Sequence, residues 1–342
     1  MRELLCELCE KNGVSGFEGR VLDYIAELVL PHVDSAYFDR AGNLVCFKKG
    51  ERIPKRKIVF AAHADEVGFV VKHIENDGTL LFDGIGIMPS SMPTRRVVVG
   101  EKEIPGVIGI KPVHLIPKEQ RGKSAELSDL YIDIGAKDRA EAEGYVSVGD
   151  FVAFDSECVL LSCNILKGKA IDDRAGCAAL ISLIRSPLSY DAYFVFTRRE
   201  ELGTLGAISA ANNLCPDICV VCESTTASDI YGTPDMRKVV KLGEGVAVPF
   251  MDGGTLYSRE LYKLAFSIAA EKGIPIQTKT VVAGGTDARS FQREGHGCKV
   301  LGVALPTRYI HSSGGVCDLR DFDAQLRLVS ALEAVLGGLE ND

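Results

Sequence analysis

Residues 57–69 read KIVFAAHADEVGF. The uninterrupted apolar run from Ile58 to Ala62 is the pattern of a strand buried on both faces, and the polarity beginning at His63 marks its C-terminal end. In open α/β sheets that edge is where ligands bind. The i, i+2 spacing puts His63 and Asp65 on one side of an extended chain. An Asp beside a metal-ligating His would accept the second ring N–H and fix the tautomer. Alone, His63 reads better as a satisfied surface histidine, so the decision rests on the rest of the chain.

Upstream, helical periodicity covers residues 2–11 and 17–30, with a short strand-like segment at 43–48. From about residue 165 onward, apolar strands (192–197, 218–222, 276–282, 299–304) alternate with helical patterns (174–186, 204–214, 258–272, 322–338). This alternation predicts an α/β fold, a mostly parallel central sheet with helices on both faces. Residues 68–162 have another texture: GFVVKHI, TLLF, RRVVVG, KEIPGVIGI, LYIDIG and VGDFVAF are short β segments separated by Gly, Pro and Asp. They read as a small β-barrel inserted into a discontinuous α/β domain formed by 1–67 and 163–342.

Composition narrows the function classes. The chain has 342 residues, 46% of them hydrophobic, enough for one large or two smaller cores. A net charge of −8 argues against nucleic acid or an anionic membrane as the main partner. No run of 18 apolar residues exists, and the N-terminal MRELLCELCEKNG lacks the features of a signal peptide. The eleven cysteines lie mostly in apolar segments and form no paired zinc motifs, which fits a reducing, cytoplasmic setting.

Further polar islands resemble the first. In KGKAIDDRAGCAAL, Asp172 and Asp173 stand before a helix. Helix capping accounts for one of them, while two adjacent carboxylates repel unless cations hold them. In YFVFTRREELGTLGA a strand delivers Glu200 and Glu201 into a turn, and ICVVCESTTASD places Glu223 after another. A carboxylate so close to a buried layer is costly without a partner, which favours a metal or a cationic neighbour. The loop of KVLGVALPTRYIHSSGG carries His311. Each island has a bland reading as a solvated acid or a loop histidine. Together, two histidines and several carboxylates suit Zn, Co or Mn, and carboxylates can bridge two ions.

The elements HADEVGF, KAIDDRAG, TRREELGTLGA, ESTTASD, GGTDA and RYIHSSGG, in this order, resemble peptidase family M42 across essentially the whole chain. This is the group of glutamyl and tetrahedral aminopeptidases, some of whose members are called endoglucanase M or cellulase M. The resemblance implies an α/β peptidase domain with an inserted barrel that serves oligomerisation and access. It implies two divalent metal ions per subunit, one held by His63 and Glu223, the other by Glu201 and His311, with Asp172 bridging across a cis Asp172–Asp173 peptide. Glu200 would be the general base acting on a metal-bridging water, and Asp65 would orient His63. Many relatives carry Asp where this chain has Glu223. Asp287 of GGTDA is expected either to help position substrate or to cap the helix that follows it.

The expected activity is removal of N-terminal residues from short peptides, by a homo-oligomer ranging from a dimer to a tetrahedral dodecamer. Two other readings stand beside it. A polysaccharide hydrolase would use Glu200 and Glu201 as a carboxylate pair, but it needs them on opposite faces of a sugar. It also leaves the two histidines without a role, in a chain without Trp. A catalytically inactive metal-binding assembly protein would have no need of Glu200.

Overall fold

The computed structural model describes residues 1–116, 118, 122–162 and 164–340. Helices α1 (Arg2–Glu10) and α2 (Gly19–Val29) lead into strands β1 (Ser35–Phe38), β2 (Leu44–Lys48) and β3 (Ile58–His63). Next come β4 (Gly68–Ile74), β5 (Leu80–Ile85), β6 (Arg96–Val99), β7 (Ile104–Ile110), β8 (Leu130–Asp133), the short helix α3 (Arg139–Glu143) and β9 (Phe151–Phe154). The chain then returns through β10 (Val159–Ser162), β11 (Ile165–Gly168), α4 (Ile171–Arg185), β12 (Ala192–Thr197), α5 (Leu205–Leu214) and β13 (Ile218–Thr226). It finishes with β14 (Val246–Pro249), α6 (Arg259–Lys272), β15 (Ile276–Lys279), α7 (Ala288–Arg293), β16 (Lys299–Arg308), β17 (Gly315–Asp318) and α8 (Leu319–Leu336).

Among the described residues the large sheet has eleven strands, ordered β1-β2-β12-β3-β13-β16-β17-β11-β10, with β14 and β15 attached beside β16. Its centre, β12-β3-β13-β16, is parallel, and antiparallel strands extend it on both sides. All six residues of β3 are buried. Their alternation explains why the strand has no polar face. Ile58, Phe60 and Ala62 pack into a core shared with α1, α2, α4 and α8. Val59 and Ala61 pack on the opposite side against Ala207, Ala210 and Ala211 of α5 and Phe291 of α7. Helices therefore cover both faces of the strand that ends at His63.

Strands β4–β9 close into a six-stranded barrel in the order β4-β5-β8-β7-β6-β9. Phe69 anchors its core, with Phe82 and Phe154 edge-on at centroid separations of 5.1 and 5.3 Å. The insert ends earlier than the sequence suggests. The strand at 159–162, read as part of the barrel region, pairs instead with β11 on the edge of the large sheet. Strand β1 is an addition to the sequence reading, and β13 and β16 run longer than their apolar cores. Polar residues continue a strand once neighbouring strands supply its hydrogen bonds, which periodicity alone does not reveal.

The crossing from sheet to barrel is fixed by charge. Glu66 accepts Lys169 Nζ at 2.7 and 2.8 Å and the Gly13 N–H at 2.9 Å, with Arg174 Nη2 at 3.4 Å. All three charged side chains are at most 2% exposed. Breaking a buried pair leaves an uncompensated charge, which costs about 3–5 kcal/mol. A Glu66→Gln variant is expected to lose unfolding free energy in that range in urea denaturation, because Lys169 and Arg174 would face each other without an anion.

Candidate metal centre

Strand register brings the site together. Thr197 at the end of β12 pairs with His63 at the end of β3. The β13–β3 register runs from Ile218/Ile58 to Val221/Ala61. Continued by two residues, it sets Glu223 level with His63. Glu223 thus lies inside β13 and not after it, as sequence suggested, because β13 continues along β16 to Thr226.

Imidazole and carboxylate groups converge at this edge. His63 Nε2 lies 3.2 Å from Asp172 Oδ1 and 3.2 Å from Glu223 Oε1. His311 Nε2 lies 3.4 Å from Asp172 Oδ2 and 3.2 Å from Glu201 Oε1. The two oxygens of Asp172 therefore face different imidazoles. Two donors each about 2.0–2.1 Å from one tetrahedral cation lie roughly 3.3 Å apart. The donor separations match that spacing. Donor atoms of His63, Asp172 and Glu201 also lie within 4.8 Å of one another, as do those of His63, Asp173 and Glu223.

Asp65 organises the cluster from behind. It is fully buried, with Oδ1 3.4 Å from His63 Nδ1, while its backbone carbonyl lies 3.1 Å from the same nitrogen. Its carboxylate also accepts the backbone N–H groups of Glu200 at 3.0 Å and Glu201 at 3.1 Å. One side chain thus sets both the imidazole and the turn bearing two further acids. The flanking backbone is unusual: Ala170, Arg199, Thr204, Tyr309 and His311 all have positive φ without being glycine. Such conformations persist where the surrounding structure over-determines them, and they cluster at functional sites.

The paired aspartates divide their work. The Asp172–Asp173 peptide is cis. Asp173 accepts the Gly176 N–H at 2.9 Å and the His63 N–H at 3.3 Å, which is the capping reading of the pair realised on its second member. Asp172 is left to face the histidines. Asp287 is the N-cap residue of α7. Its side chain makes no cap bond to α7. It is fully buried beneath the sheet edge, accepts the Thr197 hydroxyl, and does not line the cavity over the site.

The charge balance is lopsided. Burial pushes the Glu200, Asp173 and Glu201 carboxyls upward, and Glu223 reaches about 8. Burial opposes protonation of His63 and His311, yet the facing carboxylates outweigh it; His63 is raised well above its usual range and His311 to about 11. Glu223 Oε2 is buried with no hydrogen-bond partner among the described residues. An orphaned carboxylate oxygen amid mutually repelling acids is what a cation site with hard and borderline donors presents. The residues fit divalent metal.

Over the centre lies a cavity of about 520 Å³, walled by Glu200, Glu201, Glu223, Ser224, Thr225 and Gly284–Thr286 among others. Lys279 and Arg289 also line it. Sequence reading passed over Lys279, a lysine within a short strand. It is buried, donates to the Ala283 carbonyl at 3.0 Å, and has its pKa lowered by burial.

Fold and site together define the class: an α/β protein with a barrel insert, carrying an acidic, two-histidine candidate metal centre at the carboxyl edge of its parallel strands. The description of the M42 glutamyl aminopeptidases matches residues 42–328. An aminopeptidase from the archaeon Desulfurococcus kamchatkensis superposes with TM-score 0.93 at 35% identity, over 97% of this chain and 94% of that one. The TET1 peptidase of Pyrococcus horikoshii, which assembles into a tetrahedron or a large octahedral shell, gives TM-score 0.86 at 34% identity over 97% and 98%. A lysyl aminopeptidase of Pyrococcus furiosus is 31% identical, covering 96% of each chain. The chain belongs to the M42 family, among peptide hydrolases.

Outer-shell partners of metal ligands are worth about 10–100-fold in metal affinity. Asp65→Asn is expected to weaken Zn binding by that factor in competitive chelator titrations, because a neutral amide cannot accept from His63 and from both glutamate N–H groups alike.

Proposed function

We propose that the chain is a two-metal aminopeptidase that removes N-terminal residues from short peptides. The observation that carries this reading is Asp172, whose two oxygens address separate histidines, each with its own glutamate. His63 and Glu223 would hold one cation and His311 and Glu201 the other, with Asp172 between them. Bound Zn or Co, with Mn as a further choice, would polarise the scissile carbonyl and acidify a water at the centre.

The chain's own residues supply the rest. Glu200 lines the cavity beside the ligands, with a carboxyl held upward by burial, and is suited to take a proton from the attacking water and return it to the leaving amine. Asp65 holds the turn bearing Glu200 in register with His63. A free α-ammonium group would be drawn to the acidic wall of the cavity, which makes the reaction an exopeptidase one. A polysaccharide substrate would leave His63 and His311 unused.

Assembly and location follow from weaker but independent support. A relative forms closed shells, so we extend homo-oligomerisation, up to a tetrahedral dodecamer, to this chain. The described cysteines are all free thiols, as a reducing cytoplasm would keep them. No described helix is long and apolar enough to cross a membrane.

Metal-stripped protein is expected to be inert toward aminoacyl p-nitroanilides and to regain activity with Zn, Co or Mn. N-acetylated analogues and carboxymethylcellulose should remain uncleaved; their hydrolysis would point to the polysaccharide or an endopeptidase reading. Glu200→Gln should lower kcat by about 10²–10⁴-fold while metal content by mass spectrometry is retained. Unchanged turnover in that variant would remove Glu200 from the base role.

A further inference from the structure

The loop carrying His311 separates two cavities. Ile310 and His311 line both the cavity over the candidate centre and a second, larger one of about 930 Å³ on the barrel side. Gly86 of the barrel lines the second cavity, and a Cβ placed there would lie 3.1 Å from Glu201 Oε2. The second cavity therefore opens beside the candidate centre, with His311, a proposed metal ligand, in its wall.

Its wall carries uncompensated positive charge. Arg96 is neutralised by Asp155. Lys167 and Arg95 also line it, and neither has a carboxylate partner among the described residues. Lys167 is half-buried, its ammonium donating to Ser156 Oγ at 2.5 Å and to the Glu157 carbonyl at 2.9 Å. Those neutral acceptors aim the charge without cancelling it. The Arg95 Nε–H donates to the Ser91 carbonyl at 3.2 Å. Beside Lys167 and Arg95 an ammonium group would be repelled and a carboxylate attracted.

We propose that this barrel-side cavity is the leaving-group subsite and that Lys167, assisted by Arg95, binds a carboxylate downstream of the scissile bond. The inference rests on the aminopeptidase reading of the neighbouring centre. A short peptide would then lie with its amino end at the centre and its carboxylate end held by Lys167 on the barrel side. Charge-assisted hydrogen bonds from a lysine made over one end of the substrate position the other end for reaction. The carboxylate can come from the C-terminus of a short peptide or from an acidic side chain in a longer one.

The test compares kcat/KM of the metal-loaded enzyme for a tripeptide acid, the same tripeptide amide, and a tripeptide amide with Glu as its third residue. Wild type is expected to favour the acid over the amide by about tenfold, expressed in KM. Lys167→Met should bring that ratio near one, and Lys167→Arg should restore most of it. Recovery by the Glu-containing amide would assign the side chain as a source of the carboxylate, and its absence would assign the C-terminus alone. A wild-type ratio near one, or a ratio unchanged in Lys167→Met, overturns the proposal. Aminoacyl p-nitroanilide hydrolysis by wild type reports on the aminopeptidase reading separately. If that activity is absent, calorimetric binding of the peptide acid against its amide, in wild type and Lys167→Met, still decides whether the cavity takes a carboxylate.

Discussion

A single buried carboxylate ties the sheet edge to its chemistry. Asp65 meets His63 Nδ1 with one oxygen and accepts two consecutive backbone N–H groups, those of Glu200 and Glu201, from a turn more than a hundred residues away. Strands β3 and β12 are neighbours in the sheet, but backbone pairing ends at His63 and Thr197. Beyond that point Asp65 continues the connection. Bonds from Arg198 to Asn43 and from Arg199 to Glu18 hold the start of the turn, and Asp65 ties its two glutamates to the imidazole. The clamp is buried, so its geometry is held in a low-dielectric setting where each hydrogen bond matters more.

The same edge concentrates negative charge. Asp172, Asp173, Glu200, Glu201 and Glu223 crowd two histidines, and several of these carboxyls are pushed upward by burial and mutual repulsion. An assembly like this is costly unless cations are shared among the acids. Glu223 with an unpartnered oxygen and Asp172 facing two imidazoles divide the centre into two halves. The sheet contributes His63 and Glu223 by register, and loops contribute Glu201 and His311.

The inserted barrel is more than an appendage. Its Gly86 stands against Glu201, and its loop from Met88 to Arg96 forms one wall of the larger cavity. Glu66, with Lys169 and Arg174, locks the point where the chain leaves the sheet for the barrel. The insert therefore walls the cavity beside the candidate centre, while the α/β layers carry the centre itself.

Much of this was legible in the chain itself. An apolar run ending at His63, alternating strands and helices, and Gly- and Pro-punctuated β segments between them follow from burial and backbone geometry, which act locally. Those signals determined the fold class and pointed to a β insert, and they marked the polar islands from which the candidate histidine and carboxylate donors come. What they could not determine was decided by register and by contacts across long sequence separations. Whether Glu223 ends a strand or sits within it depends on the partner β16. Which aspartate caps α4 and which faces the histidines depends on the path of the backbone at 172–173. That Asp287, at the N-cap of α7, lies buried against Thr197 follows from the packing of α7 on the sheet edge. Lys279 and Lys167 carried no signal at all, because a lysine in a strand reads the same whether it meets solvent or a cavity. Only the tertiary fold decides what stands opposite a charge, and for these residues that neighbour is what gives them a role.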